Sequence, residues 1–322
     1  MHRRIAAFVP GESDGCAFYR GLGVLNELRH LDIDTKRLYG KVSWMDIADC
    51  DIGFMQRPYT TQHLELAKLI KQQMPLWVDY DDLLTAIPES NPSYATYATA
   101  EVQDAIQNIL CLADVITVST QALKDELSAT DGLDIRVIKN AYNDYRLPTE
   151  SNIIERRQSV VLWRGTNSHI GDLFSVKDDL DALIRTHPGV RFVFLGFVPW
   201  MLVDLQARNI DLVAEQNMYD YHRLLGNINP DVVIVPLEDN TFNQCKSNIA
   251  WLETARSGAH VIAREWDEWL VPNVQYYEHS FFNAVDAALV DDKSLRGWDH
   301  VKKHLMLSDI NKQRAELVHD FA

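Results

Sequence analysis

From Asn143 to His169 the chain reads NDYRLPTESNIIERRQ and then SVVLWRGTNSH. The first of these segments, Asn143 to Gln158, is polar, contains Pro148 and carries a cluster of charges, which marks an interdomain linker. The second opens with the continuous apolar run Val160-Val161-Leu162-Trp163 and so begins a new strand, Ser159–Arg164. On both sides of the linker, short β-rich runs alternate with stretches of helical period. Before it, strands are predicted at Arg4–Val9, Thr35–Leu38, Ile52–Gln56, Leu76–Tyr80, Val115–Ser119 and Arg136–Lys139. The helical stretches are Gly21–Leu31, Gln62–Gln73, Glu101–Leu112 and Gln121–Leu127, the last capped by Ser119 or Thr120. After it come strands Arg191–Leu195, Asp231–Val235 and His260–Arg264, with helices at Asp172–Thr186, Tyr219–Leu225 and Asn243–Arg256.

Apolar strands separated by amphipathic helices are what a parallel sheet covered on both faces requires. The expectation is an α/β chain with two doubly wound domains, residues 1–145 and 159–300. A last segment, 301–322, carries an amphipathic helix at Asp309–Phe321 with no strand of its own. Ligands of such sheets bind beyond the carboxyl ends of the strands, here in the cleft between domains.

Composition agrees with this and excludes other classes. The 322 residues are 47% apolar and 24% charged, an ordinary globular balance that rules out disordered, collagen-like and coiled-coil chains. The 31 Lys+Arg against 46 Asp+Glu give a net charge of −15, so a broadly basic nucleic-acid footprint is absent. No apolar run approaches the roughly 20 residues of a membrane span. The basic start at Met1 to Arg4 is followed by an apolar stretch that stops at Pro10, too soon for a secretory signal. Four cysteines (Cys16, Cys50, Cys111, Cys245) lie far apart without a C-x-x-C pair. This fits neither a disulfide frame nor a zinc site, and a cytoplasmic protein is expected.

Four constellations fall at predicted strand ends. Pro10 to Gly21 is a glycine-bearing loop entering a helix, where free N–H groups can hold phosphate. Its Gly15, Gly21 and Gly23 lack the dinucleotide spacing, and no P-loop is present. Arg20, at the helix start on this reading, suits a bound anion. Asp79-Tyr80-Asp81-Asp82 places three carboxylates at a strand end, able to hold sugar hydroxyls, bind a cation or work as acid or base. The plain alternative is that Asp82 caps the next segment and the others face water. Arg164-Gly165-Thr166-Asn167-Ser168-His169 brings to the cleft an arginine whose planar fork matches a diphosphate. Finally, Phe242-Asn243 leads to Lys246-Ser247 at an expected helix N-terminus, an anion site. Glu253 follows two turns later on the same face and can accept two ribose hydroxyls. Taken alone, Lys246 and Glu253 would be ordinary solvated helix charges.

The ordered set resembles the GT-B glycosyltransferases of the broad family-4 type, especially their short bacterial and phage branch. The matching elements are Gly15 to Arg20, Asp79 to Asp82 with Ile87-Pro88 and Asn91-Pro92, and Ala113 to Thr120. They continue with Asn140-Ala141, Arg164-Gly165-Thr166 with His169, and Phe242-Asn243 through Lys246-Ser247 to Glu253 and Gly258. The resemblance implies two facing Rossmann-like domains, a nucleotide-sugar donor held mostly by the second, and a final helix crossing back onto the first. It implies Arg164 and Lys246 on the donor diphosphate, Glu253 on the ribose, and the Gly15 loop approaching from the opposite domain. Three departures stand out. The family's E-x7-E keeps its second acid at Glu253 but has Cys245 in place of the first. The second phosphate-binding lysine after Arg164 is missing. Where many members carry a histidine after the fourth strand, this chain has Asp81 or Asp82.

The expected function is retaining transfer of a sugar, most simply from a UDP-sugar, without an essential metal or other cofactor. The expected catalytic residues are Asp81, Arg164 and Lys246. Donor binding falls to Gly15, Arg20, Arg164, His169, Asn243, Lys246, Ser247 and Glu253, and acceptor binding to Tyr19, Asp79 and Asp82. The acceptor is a carbohydrate or, as in a phage-type DNA glycosyltransferase, a hydroxylated base. The rivals are a non-catalytic nucleotide-sugar-binding protein and a nucleotide-sugar epimerase.

Overall fold

A computed structural model of the chain describes residues 2–12, 14–130, 132–154, 157–197 and 208–321. Residues 155 and 156 of the expected linker lie outside them. Two six-stranded parallel sheets form the frame. The first contains β1 (Arg3–Phe8), β2 (Ile33–Arg37), β3 (Ile52–Gln56), β4 (Leu76–Tyr80), β5 (Val115–Val118) and β6 (Ile135–Val137), in the order β2-β1-β3-β4-β5-β6. The second contains β7 (Val160–Gly165), β8 (Arg191–Gly196), β9 (Ile210–Ala214), β10 (Val232–Ile234), β11 (His260–Ala263) and β12 (Val274–Tyr276), in the order β12-β11-β10-β7-β8-β9. Every pairing is parallel, so each sheet sends its strand ends toward one side.

Central strands β3 and β4 are buried along their whole length, as a sheet covered on both faces demands. Helices Thr61–Lys71 and Ala100–Leu112 bury Ile70, Ile106 and Ile109 on one face of the first sheet. The terminal helix, Leu307–Phe321, covers the other face, where Leu307, Ile310, Leu317 and Val318 join Ile5, Val24 and Leu28. Each such apolar side chain contributes about 1.5–3 kcal/mol on burial, so packing rather than helix propensity holds this element. Just before it the chain runs beside the first crossing between lobes: Tyr142 N–H donates to Leu305 O, and Leu307 N–H to Tyr142 O, both at 2.8 Å.

Three sequence expectations need correction. The Gly21–Leu31 stretch is a helix only over Leu22–Leu25 and continues as a 3₁₀ segment, Asn26–Leu31. Its leucines recur every three residues, which is the 3₁₀ period and not 3.6. The expected helix Asn243–Arg256 is two short helices, Thr241–Gln244 and Ile249–Thr254. Asn240 caps the first by accepting from Asn243 N–H, whereas Asn248 turns its side chain away to Glu268 O. Lys246 and Ser247 therefore lie in the break between helices. Strands β9 and β12, the half-exposed edges of the second sheet, were not among the expected strands.

Candidate active site

The facing strand ends enclose a cavity of about 760 Å³ between the lobes, within the range of small-molecule sites. It adjoins a second hollow of about 520 Å³ lined by Glu253, Tyr221 and the ends of β7 and β8, with Gly15, Tyr19 and Arg164 bordering both. Gly196 closes one side of the smaller hollow at φ +110°, and a Cβ there would come 2.2 Å from Gly165 O. No other residue fits.

Arg164 is the last but one residue of β7, and its Nη2 lies 2.9 Å from Glu253 Oε2. Its buried Nε and Nη2 make no well-directed hydrogen bond among the described residues. Burial works against its charge, but Glu253 more than compensates and raises its pKa. Glu253 has two further partners: Tyr19 Oη donates to Oε1 at 3.0 Å and Tyr221 Oη to Oε2 at 2.6 Å. Tyr19 comes from the opposite lobe. Its hydroxyl is thus engaged by Glu253 on the border of the two hollows.

Lys246 Nζ lies 3.3 Å from Asp82 Oδ1 across the cleft and 4.3 Å from the centre of the Phe242 ring. Arg57, after β3, places Nε 3.1 Å from Asp81 Oδ1 and Nη2 3.1 Å from Asp82 Oδ2. Burial pushes the pKa of Asp82 up, but Lys246 and then Arg57 outweigh it and hold it low. For Asp81 burial prevails and the pKa rises, with Arg57 opposing. Each cation facing the cavity thus already has an acid beside it. The site is balanced in charge, not the open cationic pocket the sequence suggested.

His169 Nδ1 is 2.7 Å from Asp172 Oδ2. A carboxylate only accepts, so Nδ1 carries the proton and Nε2 is left as an acceptor in the neutral ring. Burial lowers the histidine pKa, with the Asp172 bond opposing, so at neutral pH His169 suits a hydroxyl better than a phosphate. Ser247 lines the cavity and accepts from Asn140 Nδ2 at 2.8 Å. Gly15 starts the helix Gly15–Tyr19 at the mouth of both hollows.

Three expected contacts go elsewhere. Arg20 caps the C-terminus of the helix Gly15–Tyr19 and does not start one. Its guanidinium is buried against Asp79 (Nε to Oδ1 3.0 Å, Nη2 to Oδ2 2.5 Å) and also donates to Ile138 O. Asp79 is consumed by that pair and by Thr117 Oγ1 at 2.5 Å, so it is a core group under the sheet and binds no acceptor. Asn243 is buried too. Its Nδ2 donates to Asp172 Oδ1 at 2.8 Å and steadies the acid that orients His169. Sequence reasoning missed Arg57, although it sits at the carboxyl end of β3, where the rule that found Asp81 and Arg164 would have found it. Tyr221 gave no signal, because a helix position alone does not tell which side meets the cleft.

The architecture is the GT-B fold. A Rickettsia africae glycosyltransferase superposes with a TM-score of 0.65 at 14% identity, over 99% of this chain and 98% of that one. Anabaena HepE, solved with UDP-glucose, gives 0.69 at 12% identity over 99% and 100%. TarM gives 0.59 at 12% identity over 83% of this chain, which spans only 54% of TarM. No protein family and no curated protein matches the sequence. Among the described residues no helix is long and apolar enough to cross a membrane.

Proposed function

We propose that the protein is a glycosyltransferase that moves a sugar from a nucleoside-diphosphate sugar to an acceptor hydroxyl. The observation that carries this reading is Arg164: a part-buried guanidinium at a strand end on the border of both hollows, whose buried Nε has no hydrogen-bond partner among the described residues and whose Nη2 is held by the ion pair with Glu253. Such a group is set to meet an oxyanion that arrives with a ligand. The smaller hollow would take the nucleoside, with Glu253 on the ribose, and the larger one the diphosphate, the sugar and the acceptor. That HepE holds UDP-glucose in the same fold supports a UDP-sugar as donor.

In the proposed step the acceptor oxygen bonds to the anomeric carbon on the same face from which the diphosphate oxygen departs, so that configuration is kept. The electron pair leaves with the diphosphate, whose charge Arg164 and Lys246 stabilise, the main electrostatic task of this chemistry. The hydroxyl proton passes to the carboxylate of Asp81, which Arg57 holds in place. The family resemblance makes retention of anomeric configuration the expected outcome, and proton NMR of the product would read it. Lys246→Ala is expected to lower transfer by roughly 100-fold, the cost of removing one transition-state donor. Turnover near that of the wild type would remove Lys246 from the mechanism. A thermal-shift panel of nucleoside diphosphates and their sugars identifies the donor, because a ligand of the native state raises apparent stability.

A further inference from the structure

The donor scheme leaves one arginine of the cavity wall without a role of its own. Arg57 has φ +47°, a left-handed backbone that is unfavourable for a non-glycine residue and persists only where its surroundings fix it. Those surroundings are specific. The Arg57 N–H donates to Asp79 O at 2.8 Å, and Pro58 follows directly and restricts the backbone further. The guanidinium then spreads over three groups: Asp81, Asp82 and Cys16, whose Sγ is 2.9 Å from Nη1. Strain at a cavity wall that serves only to aim one side chain at two carboxylates points to a task for those carboxylates.

Asp81 Oδ1 is buried and receives no well-directed hydrogen bond among the described residues. Beside it the wall is made by Tyr59 and Tyr97, their ring centres 4.8 Å apart. Carboxylates with spare accepting capacity receive hydroxyls and repel phosphates. Ring faces with polar edges accommodate a molecule that has both C–H faces and O–H groups. A nucleic-acid acceptor would bring its phosphates toward Asp81 and Asp82, on a chain that already carries a net charge of −15.

Building on the sugar-transfer reading, we propose that Arg57 is a positioning residue for the acceptor. It sets Asp81 to receive the hydroxyl of a neutral, polyhydroxylated acceptor lying against Tyr59 and Tyr97. The planar fork is the reason for an arginine here, since only it reaches both carboxylates at once.

The test uses the full chain with the UDP-sugar that it hydrolyses fastest. Two acceptors compete, a panel of neutral methyl glycosides and a duplex oligonucleotide containing hydroxymethylated cytosine, and UDP affinity is measured separately by calorimetry. Wild type is expected to glycosylate a neutral glycoside and leave the oligonucleotide unmodified. Arg57→Ala should reduce kcat/KM for the acceptor by roughly 100-fold, the usual cost of a misplaced reacting group, while UDP affinity stays unchanged. Arg57→Lys should recover part of that loss. Should Arg57→Ala fail to fold, Asp81→Asn, which preserves shape, must give the same acceptor-specific loss. Proportional loss of UDP affinity and transfer, wild-type acceptor kinetics in the variants, or transfer to the oligonucleotide alone would overturn the proposal. UDP binding with transfer to neither acceptor overturns it as well. A wild type that binds no nucleoside diphosphate refutes instead the sugar-transfer reading beneath it.

Discussion

Lys246 Nζ and Asp82 Oδ1 stand 3.3 Å apart, and they belong to opposite lobes. The carboxylate occupies the side of the ammonium that a donor phosphate would take. Nearby, the Tyr19 hydroxyl of the first lobe holds Glu253 of the second at 3.0 Å. The lobes thus close on groups of their own that resemble the polar parts of a nucleotide: an anion at the lysine and a hydroxyl at the glutamate. On the proposed sugar-transfer reading, donor entry would exchange these protein contacts for ligand contacts as the lobes part.

Asp82→Asn is expected to tighten UDP binding because it removes the carboxylate that competes for Lys246. The gain should be modest, up to about fivefold, since a part-exposed ion pair is worth up to about 1 kcal/mol. Calorimetry checks it, and weaker binding would show that Asp82 helps to hold the nucleotide.

Glu253→Gln should weaken UDP binding by roughly tenfold, the value of a hydrogen bond to a charged group. The affinity for a 2′,3′-dideoxy analogue of UDP should not change, because that analogue has no ribose hydroxyls to lose. Equal losses for both nucleotides would place Glu253 elsewhere in the scheme.

Asp79→Ala separates core from site. It leaves the Arg20 guanidinium, only 1% exposed, without its carboxylate, and breaking a buried pair in this way costs about 3–5 kcal/mol. Urea unfolding should show that loss directly. A stable Asp79→Ala protein with a raised acceptor KM would instead return Asp79 to the acceptor site.

Most of the frame was legible because central strands are continuous apolar runs: Ile52–Gln56 and Leu76–Tyr80 are read to the residue. The two edge strands of the second sheet, Ile210–Ala214 and Val274–Tyr276, which are half-exposed, were not read, whereas those of the first sheet were found one or two residues out of place. The site was legible in large part from the rule that strand carboxyl ends face the cleft, which found Asp81, Arg164 and His169, all of which line the cavity, though Arg57 was passed over. It was illegible where pairing decides. Nothing in the sequence shows that Arg20 and Asp79, 59 positions apart, neutralise each other under the sheet. Nor does it show that Asn243 supports Asp172.

Four imidazoles whose pKa is lowered by burial give stability a pH dependence, His63 and His300 among them. Burial lowers the pKa of His169, with Asp172 opposing, and that of His222, with Glu253 opposing. In the unfolded chain histidine takes up its proton near pH 6.5. Below that pH the unfolded state therefore binds more protons than the folded one, and stability rises with pH. The contribution is complete above the unfolded value and is lost as pH falls toward the folded ones. Asp81 works in the opposite sense: its raised pKa is a cost above the folded value that is relieved as pH falls through it. The urea midpoint should drop between about pH 7.5 and about pH 5.5. His222→Phe, which keeps a ring against Phe18 (His222 centroid 5.1 Å away), should flatten that slope. An unchanged slope would mean that His222 is not part of it.

Because arginine and lysine carry the leaving-group charge in this account, EDTA should leave the transfer rate unaltered. Loss of activity in EDTA with recovery on added divalent cation would require a metal that the account does not invoke.

The most direct measurement is a calorimetric titration of wild type and Lys246→Ala with UDP and with uridine. UDP should bind wild type saturably and the variant roughly tenfold or more weakly, the loss expected for one charge-assisted phosphate contact. Uridine should bind both equally. Equal UDP affinity for the two proteins, or no saturable binding to wild type, would contradict a diphosphate site at Lys246.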